Sequence, residues 1–107
     1  MAWALTETFD VPWEAYRRLV AAVGERPSED LLIHVAGPEG DGVRTMSVWE
    51  SKAAFESFLA ERVLPVASGA LGEEAAGAGA KTSTALEVGH LIKGPFSPVH
   101  EGHAWMY

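Results

Sequence analysis

The sequence predicts a single α+β domain with the element order β-α-β-β-α-β, a four-stranded antiparallel sheet with two helices on one face. Two segments carry apolar residues at helical spacing, and four short strand-like segments rich in apolar residues flank them. Between the second and third of these lies a run dense in turn residues, Gly37-Pro38-Glu39-Gly40-Asp41-Gly42, which folds one strand back on the other. With 107 residues, 48% of them apolar, the chain can build one core and has no room for a second.

Met1 to Phe9 reads as the first strand. Trp3, Leu5 and Phe9 lie at even spacing, and Glu7 interrupts that face. Asp10 is placed to cap a helix that carries Pro12 in its first turn, where a missing N–H is harmless. Trp13, Tyr16, Leu19, Val20 and Val23 follow helical spacing, Gly24 stops the helix, and Glu14 and Arg18 are spaced for an exposed ion pair. After the Arg26-Pro27-Ser28 turn, Leu31 to Ala36 forms the second strand and Val43 to Trp49 the third. Ser51 caps a second helix whose apolar stripe is Ala54, Phe55, Phe58, Leu59 and Val63, and Pro65 bends or ends it. Ser68 to Lys81, rich in glycine and alanine, reads as a mobile connection with at most a short helical turn, and Ala85 to Ile92 as the fourth strand. Residues 1–93 thus make the domain. Residues 94–107 make an irregular tail, and its apolar end, Trp105-Met106-Tyr107, is expected to pack on a partner.

This order is the split βαβ, or ferredoxin-like, arrangement. Its second strand carries a further implication. A sheet with one face in water alternates apolar and polar residues, whereas Leu31-Leu32-Ile33-His34-Val35-Ala36 does not. Both faces are therefore expected to be buried. Two helices cover only one of them, and a second copy of the same sheet is the economical cover for the other, making a homodimer.

Composition narrows the function. The chain has no cysteine, which removes disulfides, thiolate nucleophiles and iron–sulfur clusters and fits a reducing, cytoplasmic setting. The N-terminus lacks the basic segment of a signal peptide, and no apolar run approaches the roughly 20 residues that span a bilayer. A net charge of −7 with scattered Lys and Arg argues against nucleic acid or an anionic membrane as partner. The histidines of His100-Glu101-Gly102-His103 share a face only on a helix, and Gly102 with Pro98 opposes one, so no metal is expected. Gly77-Ala78-Gly79-Ala80-Lys81-Thr82 lacks the glycine before lysine that a phosphate loop needs and leads into a strand.

The run Leu32-Ile33-His34-Val35-Ala36-Gly37, followed by Gly42-Val43-Arg44, Val48-Trp49-Glu50-Ser51 and then Phe55, Phe58, Arg62, Val63, Leu64 and Pro65, resembles small bacterial proteins of the dimeric α+β barrel superfamily. That superfamily includes the antibiotic-biosynthesis monooxygenases. The resemblance implies an aromatic-lined cavity between sheet and helices in each protomer of a homodimer. It also implies a reaction needing no cofactor, in which a hydrophobic aromatic or polyketide-like substrate is deprotonated and its own carbanion reduces O2. Carried onto this chain by position, the lining residues are Trp49, Phe55, Phe58 and Tyr16, with His34 as the polar group. The asparagine often found in such pockets has no counterpart, because the chain contains none, and the second helix lacks the histidine that haem-degrading members use.

Each candidate also has a structural explanation. His34 among leucines and valines is either a general base near neutral pH or a core histidine held by a hydrogen bond. His90 lies on the expected face of Leu86, Val88 and Ile92 and would pair with His34 if register allows. Trp49, Phe55 and Phe58 suit core packing as well as a ligand wall, and Tyr16 suits a half-buried helix position. Two functions stand: a small cofactor-independent monooxygenase or related isomerase or lyase with His34 as base, and a non-catalytic dimer that binds a small apolar ligand or a protein. An enzyme calls for a roomy pocket with His34 pointing into it, and a binding module for a tied-down His34 and a closed cavity.

Overall fold

The computed structural model describes residues 1–24 and 28–92. The tail with His100 and His103, and most of the Arg26-Pro27-Ser28 turn, lie outside the described residues. Four strands, β1 (Trp3–Phe9), β2 (Leu31–Glu39), β3 (Gly42–Trp49) and β4 (Thr82–Glu87), form one antiparallel sheet in the order β2-β3-β1-β4. The helices are α1 (Trp13–Val23), α2 (Lys52–Phe58), α3 (Leu64–Leu71) and α4 (Glu73–Ala78), with a π-helical turn over Leu59–Val63 between α2 and α3. The architecture is the expected α+β, ferredoxin-like one.

Several local expectations shift, each for a physical reason. The turn-rich run is mostly strand: β2 continues through Gly37, Pro38 and Glu39, and only Gly40-Asp41 makes the turn. Gly40 has φ of 58°, as a two-residue hairpin with glycine first requires. Pro38 is tolerated because β2 is an edge strand. Gly42 is obligatory for another reason. A Cβ there would lie 2.5 Å from the Phe9 carbonyl oxygen.

Asp10 does not cap α1. Pro12 occupies the cap position with extended backbone and no side-chain cap, and its carbonyl accepts from the N–H groups of Ala15 and Tyr16. Gly24 does end the helix, with φ of 88°. The ion pair on α1 joins Glu14 to Arg17, one residue before the expected Arg18, which instead donates to the Ala70 carbonyl on α3. Ser51 caps α2 by accepting from the Ala54 N–H. Pro65 does not end helical structure but sits in the first turn of α3, where its missing N–H costs nothing. The Gly/Ala-rich stretch is two short helices hinged at Gly72, whose φ of 90° only glycine adopts readily. Alanine favours helix strongly, and buried Ala67 lets α3 approach its neighbours closely.

β4 begins three residues early and ends five early. Its partner decides this: β1 pairs with it from Thr8–Thr82 to Trp3–Glu87 and then runs out. The core contains Leu5, Val11, Ala15, Val43, Trp49 and Ala67. Val11, Ala15 and Val43 cluster beneath Phe9, Trp13, Tyr16, Leu71 and Ala75.

Register assigns the two faces. Trp3, Leu5, Glu7 and Phe9 on β1 lie opposite Trp49, Ser47, Thr45 and Val43 on β3, and this side carries the helices. His34 and Ala36 on β2 share it through Ser47 and Thr45. On the other side Ile33, Val48, Ala4 and Leu86 form one cross-sheet row, and Val35 faces Met46 in the next. Val35 and Met46 are each 47% exposed and Leu86 is 66% exposed. In the single chain, the second face expected to be buried lies open.

Candidate functional site

The site begins at the bulge in β2. The register slips by one residue between Leu31 and Ile33, which sends His34 toward the helices and Ile33 and Val35 to the far face. Tyr16 projects from α1, and its hydroxyl lies 2.9 Å from His34 Nε2. Trp13, one turn earlier on the same helix, stacks on the Tyr16 ring at 5.3 Å between centroids and 15° between planes. A stacked ring has little rotamer freedom, so Trp13 fixes where the phenol points.

Burial pushes the Tyr16 phenol up to about 12 and pulls His34 below the ordinary histidine value. His34 keeps a solvent-exposed surface on its edge strand, yet the protein atoms crowded around it still disfavour its charged form. At neutral pH the pair is therefore a neutral imidazole and a neutral phenol joined by one hydrogen bond.

The aromatic residues form a second group at the far end of the same side of the sheet. Trp49 meets Phe55 at 5.7 Å and Phe58 at 5.1 Å, and Trp3 meets Phe55 at 5.4 Å. Trp49 is 2% exposed and donates through Nε1 to the Ser47 hydroxyl at 3.0 Å. Arg62, on the π-helical turn, lies over the Phe58 ring at 5.1 Å and donates to the Val23 carbonyl, tying this group to the end of α1. Trp49 works as a packed core ring, whereas Phe55 and Phe58 stay partly exposed at the edge of the cluster.

Of the residues singled out in the sequence, the structure thus joins His34 to Tyr16 and Trp49 to Phe55 and Phe58. It does not bring His90 to His34. β4 ends before His90, and β2 and β4 are opposite edges of the sheet. Two residues were missed as partners, Trp3 against Phe55 and Trp13 against Tyr16. A third, Glu7, stood out in sequence only as an interruption. It is half-buried on the helix side opposite buried Thr45, with its carboxyl pushed up by burial. Among the described residues, no group of three or more His, Cys, Asp or Glu side chains could hold a metal. No described helix is long and apolar enough to cross a membrane.

Several solved structures share this fold. A protein from Chloroflexus aurantiacus J-10-fl, described as a candidate antibiotic biosynthesis monooxygenase, matches with a TM-score of 0.62 at 15% identity, over 88% of this chain and 100% of that one. A protein of the same description from Deinococcus radiodurans matches at 0.55 and 19% identity, over 90% and 100%. A single-residue variant of SnoaB, a cofactor-independent oxygenase from Streptomyces nogalater, matches at 0.53 and 16% identity, over 85% and 96%. The fold is that of the antibiotic biosynthesis monooxygenase-like proteins. At such identities the likeness is one of fold. No protein-family model matches the chain, and no curated protein matches it by sequence.

Proposed function

We propose that this chain is a small cytoplasmic, dimeric enzyme that acts without a cofactor on a hydrophobic aromatic or polyketide-like molecule, with His34 as its base. The observation that carries this reading is the 2.9 Å contact between the Tyr16 hydroxyl and His34 Nε2 on the helix side of the sheet. With the proton on Nε2, His34 donates to the Tyr16 oxygen and presents the Nδ1 lone pair to a ligand. A neutral imidazole held in one tautomer is suited to take a proton from an acidic C–H. The resulting carbanion reduces O2. A CH2 group becomes a carbonyl, one oxygen atom stays in the product, and the other leaves as water with the two hydrogens. Fold likeness to a cofactor-independent oxygenase supports the reaction class. The open apolar face, with Val35, Met46 and Leu86, supports the dimer.

The test is O2-dependent turnover of an anthrone-type substrate. His34→Ala is expected to abolish it while leaving the oligomeric state unchanged, and unchanged turnover removes His34 from the reaction. A second reading, a non-catalytic small-ligand-binding or interaction protein, draws on the same hydrogen bond, which ties His34 to Tyr16, and on the packing of Trp49 against Phe55 and Phe58, which closes that end of the face. Absence of turnover by the wild-type protein across such substrates favours it.

A further inference from the structure

Trp13 is the first residue of α1, and Tyr16 stands one turn after it. Long side chains on a helix lean toward its N-terminus, so Tyr16 falls onto Trp13. The contact is a stack, 5.3 Å between ring centroids and 15° between planes. Pro12 fixes where it forms. Its extended backbone ends the connection from β1, and its carbonyl accepts from the Ala15 and Tyr16 N–H groups, so the first turn of α1 starts at Trp13. Both rings also pack on the buried cluster of Val11, Ala15 and Val43. Trp13 thus rests on close-packed core, and a ring stacked on it shares that rigidity.

His34 is held far less firmly. It lies on an edge strand and stays exposed. Among the described residues its ring makes one hydrogen bond, to the Tyr16 hydroxyl at 2.9 Å. A tyrosine on a helix chooses between two χ1 rotamers. A change of χ1 swings the hydroxyl, at the far end of the side chain, away from His34. One neutral hydrogen bond to an exposed imidazole contributes little net stability, so the rotamer needs a second support. The flat face of Trp13 supplies it.

We propose that Trp13 is a positioning residue for His34, acting through Tyr16: its ring holds the phenol in the rotamer whose hydroxyl reaches Nε2, and so keeps the imidazole in one tautomer and one orientation. This rests on the reading of His34 as a base and deepens it by naming the residue that sets the geometry of that base.

Two substitutions in the full chain test this. Trp13→Leu keeps apolar bulk against the core but offers no ring face, and Trp13→Phe keeps a flat ring. Three-bond couplings report the Tyr16 χ1 rotamer, and long-range 1H–15N correlation reports the His34 tautomer. Wild type is expected to show a single rotamer with Nε2 protonated, and Trp13→Leu averaged couplings with a mixture of tautomers. Trp13→Phe is expected to stay close to wild type. With an anthrone-type substrate, kcat of Trp13→Leu is expected to fall by about tenfold or more at unchanged KM, and Trp13→Phe to retain most of it. A purely structural role predicts lower melting temperatures in both variants with couplings and tautomer unchanged. Averaged Tyr16 couplings in wild type overturn the proposal without any variant, and so does a folded Trp13→Leu that keeps the wild-type tautomer. Trp13→Met serves the same comparison where Trp13→Leu does not fold. A wild-type protein that turns over no such substrate overturns the reading of His34 as a base, while the tautomer measurements still decide the role of Trp13.

Discussion

The Tyr16 hydroxyl on α1 and His34 Nε2 on β2 lie 2.9 Å apart, bridging a helix to an edge strand of the sheet. The proposed base requires the tautomer with Nε2 protonated and Nδ1 bare. Long-range 1H–15N correlation NMR near pH 7.5 is expected to show that pattern for His34, and Tyr16→Phe to replace it with a mixture of tautomers. Loss of this one neutral hydrogen bond is expected to cost about 1 kcal/mol in chemical denaturation. A protonated Nδ1 in wild type rules out base catalysis at that atom.

Two ionisable groups, His34 and Glu7, give stability an opposed pH dependence. The folded-state pKa of His34 lies below its ordinary 6.5, so the unfolded chain binds more protons just below pH 6.5. The His34 contribution is full above pH 6.5 and is lost as pH falls through the folded value. Glu7 is raised above 4.5. Its contribution is present below pH 4.5 and is lost as pH rises through the folded value. Denaturation midpoints of wild type, His34→Gln and Glu7→Gln from pH 4 to 8 separate the two. The difference curve for Glu7→Gln is expected to favour the variant increasingly as pH rises, and that for His34→Gln to favour the variant as pH falls below 6.5. Flat difference curves contradict the assignments.

How far the sequence alone carries depends on how local the deciding interaction is. The Ser51 cap was legible because the hydroxyl and the Ala54 N–H it serves lie three residues apart. The length of β4 was not, because β1 sets it and runs out at Trp3. Apolar periodicity in Leu86-Glu87-Val88 was a poorer guide than the partner strand. α3 and α4 were hidden by glycines that read as flexibility but act as helix ends, Gly72 above all. Within the site, His34 was conspicuous among leucines and valines, but its partner Tyr16 depends on how α1 crosses β2. Glu7 was visible only as a blemish in β1. Its polar neighbours appear only once register sets it beside Thr45 and Ser83.

Trp49 anchors the aromatic cluster. It is almost fully buried, meets Phe55 and Phe58, and spends its one donor on Ser47. Trp49→Ala removes those ring contacts and leaves a cavity, at an expected cost of about 3–5 kcal/mol. That is a large share of the ~5–15 kcal/mol that stabilises a domain of this kind. Trp49→Phe retains most of the contacts but frees the Ser47 hydroxyl, and is expected to cost clearly less than Trp49→Ala. Urea denaturation followed by far-UV circular dichroism measures both. Equal costs would mean that the hydrogen bond, rather than ring packing, holds Trp49 in place.

The far face of the sheet supplies the sharpest test of assembly. Ile33, Val48, Ala4 and Leu86 run across all four strands, and Val35 and Met46 sit beside them. A contiguous apolar patch of this kind is uncommon on a protein that works alone. In the proposed homodimer a second copy, turned about a two-fold axis, would present the same patch to it, so that each apolar row would bury its counterpart. Light scattering at micromolar concentration is expected to give twice the chain mass. Met46→Lys places one ammonium from each protomer in that dry contact, where neither has a counter-charge, and is expected to yield monomers. Because dimerisation stabilises the folded chain by mass action, the wild-type melting temperature should rise with protein concentration and that of Met46→Lys should not. A wild-type protein that scatters as a monomer, with a melting temperature independent of concentration, refutes the dimer and leaves the apolar run of β2 without its explanation.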